Sequence, residues 1–196
     1  MKIQKTGIWE NLDGIMLLVS DAEAGAEAPN VLPGEDPEVV TLPVGFRFRS
    51  FGNTGGDEIY VGGPDLGNGS QRIATGYTWS SPGTHEFTFS FNPASGYITV
   101  DLDGTVLSKG GYTGEGWNYM EIDVVNRGTG TTVNLNNLVM DGYSLGDFEG
   151  DGWSTWHISD YDFSDAFELT GEVELDGTFS QSQELCKLQV MVGKTD

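Results

Sequence analysis

Carboxylates are the commonest chemistry this chain offers, and three of them fall at alternate positions in Asp147-Phe148-Glu149-Gly150-Asp151-Gly152, just ahead of Trp153. Hard oxygen ligands on a glycine-bearing loop suit Ca2+, so Asp147, Glu149 and Asp151 are the candidate metal ligands, although the run lacks the closing glutamate and flanking helices of an EF-hand. Asp160, Asp162 and Asp165 form a second acidic cluster. Glu172 with Glu174, or Glu121 with Asp123, has the residue types of a glycoside hydrolase pair. Their i, i+2 spacing puts both carboxylates on one strand face opposite the apolar set, which is how a solvated face reads, and no catalytic residue is assigned. Four aromatics, Trp117, Tyr119, Trp153 and Trp156, would stack on sugar rings if exposed together, and they are the candidate glycan platform. His85 and His157 are the only imidazoles. Each lies in or beside a strand pattern and reads as structural, and no Ser-His-Asp order is legible.

The elements that must position these residues are strands. Phe87, Phe89 and Phe91 alternate with polar residues, as do Ile98, Val100 and Leu102. Asn92-Pro93-Ala94-Ser95-Gly96 supplies a hairpin connector and Asp103-Gly104 a type I′ turn, which together predict a three-strand meander. Met120, Ile122 and Val124 continue the period, followed by Val133 and Leu135, then Leu138 and Met140 ahead of Asp141-Gly142. Phe167, Leu169, Gly171, Val173 and Leu175 face one way. So do Cys186, Leu188, Val190 and Val192, with Lys187 and Gln189 opposite. Turn signals recurring about every 8–12 residues between about ten or eleven such strands predict an all-β fold, an antiparallel two-sheet sandwich of jelly-roll or concanavalin-like type.

The same pattern divides the chain in two. Residues 39–196 read as the sandwich domain, and residues 1–38 as an apolar segment followed by an acidic loop. Gly7 to Val19 predicts one or two strands. Ser20 to Glu38 carries Asp21, Glu23, Glu27, Glu35, Asp36 and Glu38 without a base. A loop of that length is uncommon inside a compact domain. As a flexible chain it would span roughly 25 Å, enough to set Ile8, Trp9, Leu12, Ile15 and Leu17 on a neighbouring copy as well as on their own sheet, where the segment would pair as an ordinary first strand. These five are the candidate assembly residues, acting by strand addition to an open sheet edge.

Thirty acidic residues against nine basic give a formal charge of −21, which disfavours nucleic acid and anionic lipid surfaces as partners. Cys186 is the sole cysteine, so neither an internal disulfide nor a cysteine-based zinc site is available. The run Ile15 to Val19 is too short for a secretory h-region, and no stretch approaches the roughly 20 apolar residues of a transmembrane helix. No glycine-rich stretch opens a helix, so Gly52-Asn53-Thr54-Gly55-Gly56 and Gly67-Asn68-Gly69 read as turns rather than phosphate cradles.

Phe91-Asn92-Pro93-Ala94-Ser95-Gly96-Tyr97-Ile98-Thr99-Val100-Asp101-Leu102-Asp103-Gly104 resembles the central hairpin of concanavalin-like and laminin-G-like sandwiches. Leu135 to Gly142, Phe167 to Val173 and Gln183 to Gly193 resemble the choice-of-anchor domains of bacterial exported proteins. That resemblance spans roughly residues 70–193. It implies an extracellular or cell-surface sandwich with no established catalytic site. The expectation is therefore a non-catalytic structural protein that associates with copies of itself in a surface layer or filament. The alternative is a carbohydrate-binding module for polysaccharide, assisted by calcium, and a glycoside hydrolase is the enzymatic alternative.

Overall fold

The structure is a computed structural model and describes residues 2–6, 39–52, 56–179 and 186–195. These residues form strands and turns without a helix. One sheet has seven strands in the order β1 (Lys2–Thr6), β11 (Gly152–Ser159), β8 (Tyr119–Asn126), β13 (Cys186–Thr195), β2 (Val39–Arg49), β3 (Ile59–Gly62) and β4 (Arg72–Thr75). The other has six, in the order β10 (Tyr143–Glu149), β9 (Thr131–Met140), β12 (Phe167–Gly177), β5 (Gly83–Asn92), β6 (Tyr97–Leu102) and β7 (Thr105–Gly110). Every pairing is antiparallel. The fold is thus the all-β two-sheet sandwich expected, with thirteen strands among the described residues rather than ten or eleven. The surplus comes from β1, which lies ahead of the segment where a first strand was expected, and from short strands such as β3 and β4 that are too brief to show a period.

The meander is β5, β6 and β7. Asp103 and Gly104 both take positive φ, 47° and 83°, as a type I′ turn requires. Asp141 and Gly142 repeat the same pair of angles between β9 and β10. The two inner faces meet in an aromatic core. Phe46 of β2 lies with its ring 5.0 Å from that of Phe89 and 5.5 Å from that of Phe87, both on β5 of the opposite sheet. Phe148 of β10 and Trp156 of β11 close the far end at 4.8 Å. Gly171 interrupts the apolar row of β12 for a steric reason. A Cβ there would come within 2.9 Å of Leu138 Cδ1 and 3.0 Å of the Phe87 ring, so the missing side chain makes room for its neighbours.

Cys186 is buried and unpaired in the core. Ile8, Trp9, Leu12, Ile15 and Leu17 lie outside the described residues, as does the acidic loop. β1 pairs with β11 of its own chain, Lys2 opposite Ser159 through Thr6 opposite Thr155, and forms one edge of the seven-stranded sheet.

Candidate functional site

Alternation fixes which side chains leave the core on the seven-stranded sheet. With Phe46 and Phe48 inward, Arg47 and Arg49 point out from β2; with Leu188 and Val190 inward, Lys187 and Gln189 point out from β13. Register then lines them up across strands. One row runs Thr155, Asp123, Gln189, Arg47, Tyr60, Ala74. The adjacent row runs Trp153, Val125, Lys187, Arg49.

At the β11 end, Asp123 is buried and fully engaged. Its Oδ1 accepts from Thr155 Oγ1 at 2.7 Å and Trp153 Nε1 at 3.1 Å, and its Oδ2 takes Lys187 Nζ at 3.4 Å. Burial pushes the Lys187 ammonium down, with Asp123 working against that shift. The ring of Trp153 is held by its own N–H yet remains 46% exposed. Lys187 Nζ sits 4.5 Å from its centroid and Arg127 Cζ 5.1 Å. Contacts of this kind are worth about 0.5–2 kcal/mol each.

Around Tyr60 the chemistry changes. Arg72 Cζ lies 4.1 Å and Arg49 Cζ 4.6 Å from the ring centroid, and the phenol donates to the Asp57 carbonyl at 2.9 Å. Burial pushes the Tyr60 phenol up while the arginines oppose it. Arg72 is placed by the 63–71 turn, whose Leu66 packs on Tyr60 and Met191 and whose Leu66 carbonyl accepts from the Arg72 guanidinium. That turn is built by its own side chains, Asp65 Oδ1 accepting from the Gly67 N–H at 2.7 Å and Asn68 Oδ1 from the Ser70 N–H at 3.0 Å. Arg47 donates its Nε to Gln189 Oε1 at 2.7 Å. Burial, and then the charge of Arg49, push its guanidinium below the usual arginine range.

The expected glycan platform does not form. Trp117, Tyr119 and Trp156 are buried and only Trp153 is exposed. Trp117 packs tilted against Phe91 at 4.7 Å and Trp156 meets Phe148 edge-to-face, because large aromatic rings serve packing in a sandwich this rich in phenylalanine. The carboxylates of the expected calcium set, Asp147, Glu149 and Asp151, are placed by β10 and the turn after it. Among the described residues no three His, Cys, Asp or Glu side chains come together to hold a metal ion. Asp147 and Glu149 lie along β10, Asp151 follows the Gly150 turn, and Asp147 Oδ1 accepts from the Asn137 N–H at 2.8 Å. Of the Asp160, Asp162 and Asp165 cluster, Asp162 accepts from the Ser164 N–H at 2.9 Å.

The carboxylates weighed as hydrolase pairs have other partners. Glu174 Oε2 accepts from Asn136 at 3.0 Å and Asn134 at 3.3 Å, and Glu172 Oε2 from Asn137 at 3.1 Å. Glu121 faces His157 Nε2 at 3.5 Å. The structure does bring a serine, a histidine and an aspartate together where the sequence showed no order. His85 Nδ1 lies 2.8 Å from Asp103 Oδ2, and its Nε2 lies 3.3 Å from Ser80 Oγ. The same Nε2 is 3.1 Å from the Ser80 carbonyl and 3.3 Å from the Ser80 backbone N. The imidazole is buried between Tyr77 and Trp79. It ties the turn ahead of β5 to the β6–β7 turn through Ser80 and Asp103.

Arg47, Arg49, Arg72 and Lys187 were not among the sequence candidates. Their signal was present as scarce bases at the outward positions of alternating strands, but Arg47 and Gln189 are 142 residues apart, and only pairing shows that they meet. No family model matches this chain, and no curated protein matches it.

Proposed function

We propose that the chain is a non-catalytic β-sandwich module of an exported or cell-surface protein, binding carbohydrate on the outer face of its seven-stranded sheet. The observation that carries this reading is the cation–aromatic strip from Trp153 through Lys187 to the arginines around Tyr60. A half-exposed indole with its N–H fixed and two cations beside it offers pre-organised apolar and cationic surface together for a sugar and its polar groups. The non-catalytic part is supported by the engagement of Glu172, Glu174, Glu121 and Asp123 with amide, imidazole, hydroxyl and ammonium partners. The extracellular or surface location is supported by the choice-of-anchor resemblance.

Affinity electrophoresis through gels containing polysaccharide tests the reading. Retarded migration that Trp153→Ala abolishes, without new reducing ends in the polymer, is the expected result. Migration unaffected by every polysaccharide, or release of reducing ends, overturns it.

The edge position of β1 favours a second reading, assembly with copies of itself, since one side of that strand has no partner among the described residues. Light scattering on the full chain and on a chain lacking residues 1–19 separates an assembly arm, lost with its oligomers, from a strand needed only for folding.

A further inference from the structure

Five of the nine basic residues, Arg47, Arg49, Arg72, Arg127 and Lys187, gather along this one strip of a chain with a formal charge of −21. The bases at its two ends are treated differently. Lys187 has Asp123. Arg47 and Arg72 have no carboxylate within ion-pair distance among the described residues, and Asp65 acts on Arg47 only from farther away. Arg47 is half-buried and crowded by the like charges of Arg49 and Arg72. Its Nε is spent on Gln189 and Arg72 is tied to the Leu66 carbonyl, so the guanidinium groups are held in place by neutral acceptors. Desolvated like charges without an acid are costly. Thirty acidic residues were available to relieve them.

With Nε on Gln189, no hydrogen bond from the two-nitrogen end of Arg47 occurs among the described residues; that fork donates two parallel hydrogen bonds to a carboxylate or an oxyanion. Trp153 and Arg49 share a row three strand spacings long, about 14 Å at ~4.8 Å per strand, with Lys187 between them. A single small anion does not bridge that length; a polymer carrying repeated charges does.

We propose that Arg47, flanked by Arg49 and Arg72, is the subsite for the anionic group of an acidic polysaccharide, a uronate carboxylate or a sulfate ester, laid across the strands with one sugar on Trp153. This rests on the carbohydrate-binding reading above and narrows it to charged glycans. Arg47 then gains from the ligand the counter-charge that no described carboxylate gives it at ion-pair distance.

The test measures affinity for polygalacturonate, the same polymer methyl-esterified, dextran sulfate and unmodified dextran. At least one charged polymer binds tenfold or more tighter than dextran, and binding weakens as salt rises. If the group is uronate, polygalacturonate binds and its methyl ester falls to the dextran level; if it is sulfate, dextran sulfate is the one preferred. Arg47→Gln lowers affinity for the preferred polymer at least tenfold and leaves the melting temperature of the free protein unchanged or higher. Arg72→Gln does the same to a smaller degree. Equal binding of dextran and both charged polymers, or charged-polymer affinity untouched by Arg47→Gln, overturns the anionic subsite while carbohydrate binding through Trp153 stands. A fall in melting temperature with affinity unchanged assigns Arg47 a structural role and also overturns it. No retention of any of the four polymers removes the carbohydrate reading itself, and the subsite with it.

Discussion

On the outer face of the six-stranded sheet the half-buried carboxylates of β12 meet amides: Glu174 takes Asn134 and Asn136, and Glu172 takes Asn137. On the outer face of the seven-stranded sheet Arg47 takes an amide too, Gln189, but stands beside two more guanidinium groups. The first face stabilises an acid with neutral donors on a strand that register brings directly alongside. The second places cations where their own kind repels them. Charge solvated by fixed amides serves folding, whereas Arg47 and Arg72 meet like charge and no carboxylate at ion-pair distance among the described residues.

Asp123 gives that contrast its largest test, because on the seven-stranded face it holds the Lys187 ammonium at ion-pair distance. Asp123→Ala strands the Lys187 ammonium and orphans Trp153 and Thr155, and urea unfolding should show a loss of about 3 kcal/mol. Lys187→Met in the same background should restore a large part of it. A loss below about 1 kcal/mol would mean that this ion pair behaves as an exposed one and that the face is wetter than its burial shows. Glu174→Ala on the opposite face should cost about 1 kcal/mol, since it removes one charge-assisted acceptor and leaves two amides that half-exposure lets water satisfy.

A smaller, pH-dependent effect belongs to neither face. Burial alone would raise the Asp103 carboxyl, but hydrogen bonds from Tyr77, from His85 and from the Glu86 N–H outweigh it and hold the group below the usual aspartate range. A carboxyl depressed in the folded state contributes stability above its unfolded value, near ~3.9, and that contribution is lost as pH falls through the folded value. Melting temperature followed from about pH 5 downward should therefore drop less steeply in Asp103→Asn than in the parent below pH ~4. Parallel curves would assign the acid limb to other carboxylates. Smallest of all is Arg47→Gln without ligand, for which the stability change should stay within about 0.5 kcal/mol or be a gain. A loss of 2 kcal/mol or more, which is about the cost of breaking a buried hydrogen bond, would erase the difference between the two faces.

The fold was legible because its physics is local. Period-2 runs such as Phe87 to Phe91 and Asp-Gly pairs at 103–104 and 141–142 state strand and turn without knowledge of the rest of the chain. The site was not legible because its physics is between strands. Trp117, Tyr119 and Trp156 share a residue type with Trp153, and only the choice of face separates a packed ring from an exposed one. Alternation shows that Arg47 and Gln189 point away from the core. It does not show that β2 and β13 are neighbours, which the order of the sheet decides. β1 escaped notice for a related reason: five residues with two lysines carry no apolar period, and β11 recruits them by backbone pairing.

The lone thiol makes the sandwich its own stopwatch. Cys186 is buried on the first residue of β13, its sulfur 3.5 Å from Asn126 Oδ1 on β8. A thiol reagent reaches it only when those central strands part, so the labelling rate at high reagent concentration equals the rate of opening. The same strand carries Lys187 and Gln189, so a ligand gripping the strip also grips the seam that guards the sulfur. Slower labelling in the presence of a polymer would then read out occupancy of the strip from inside the core, with no probe attached to the face itself.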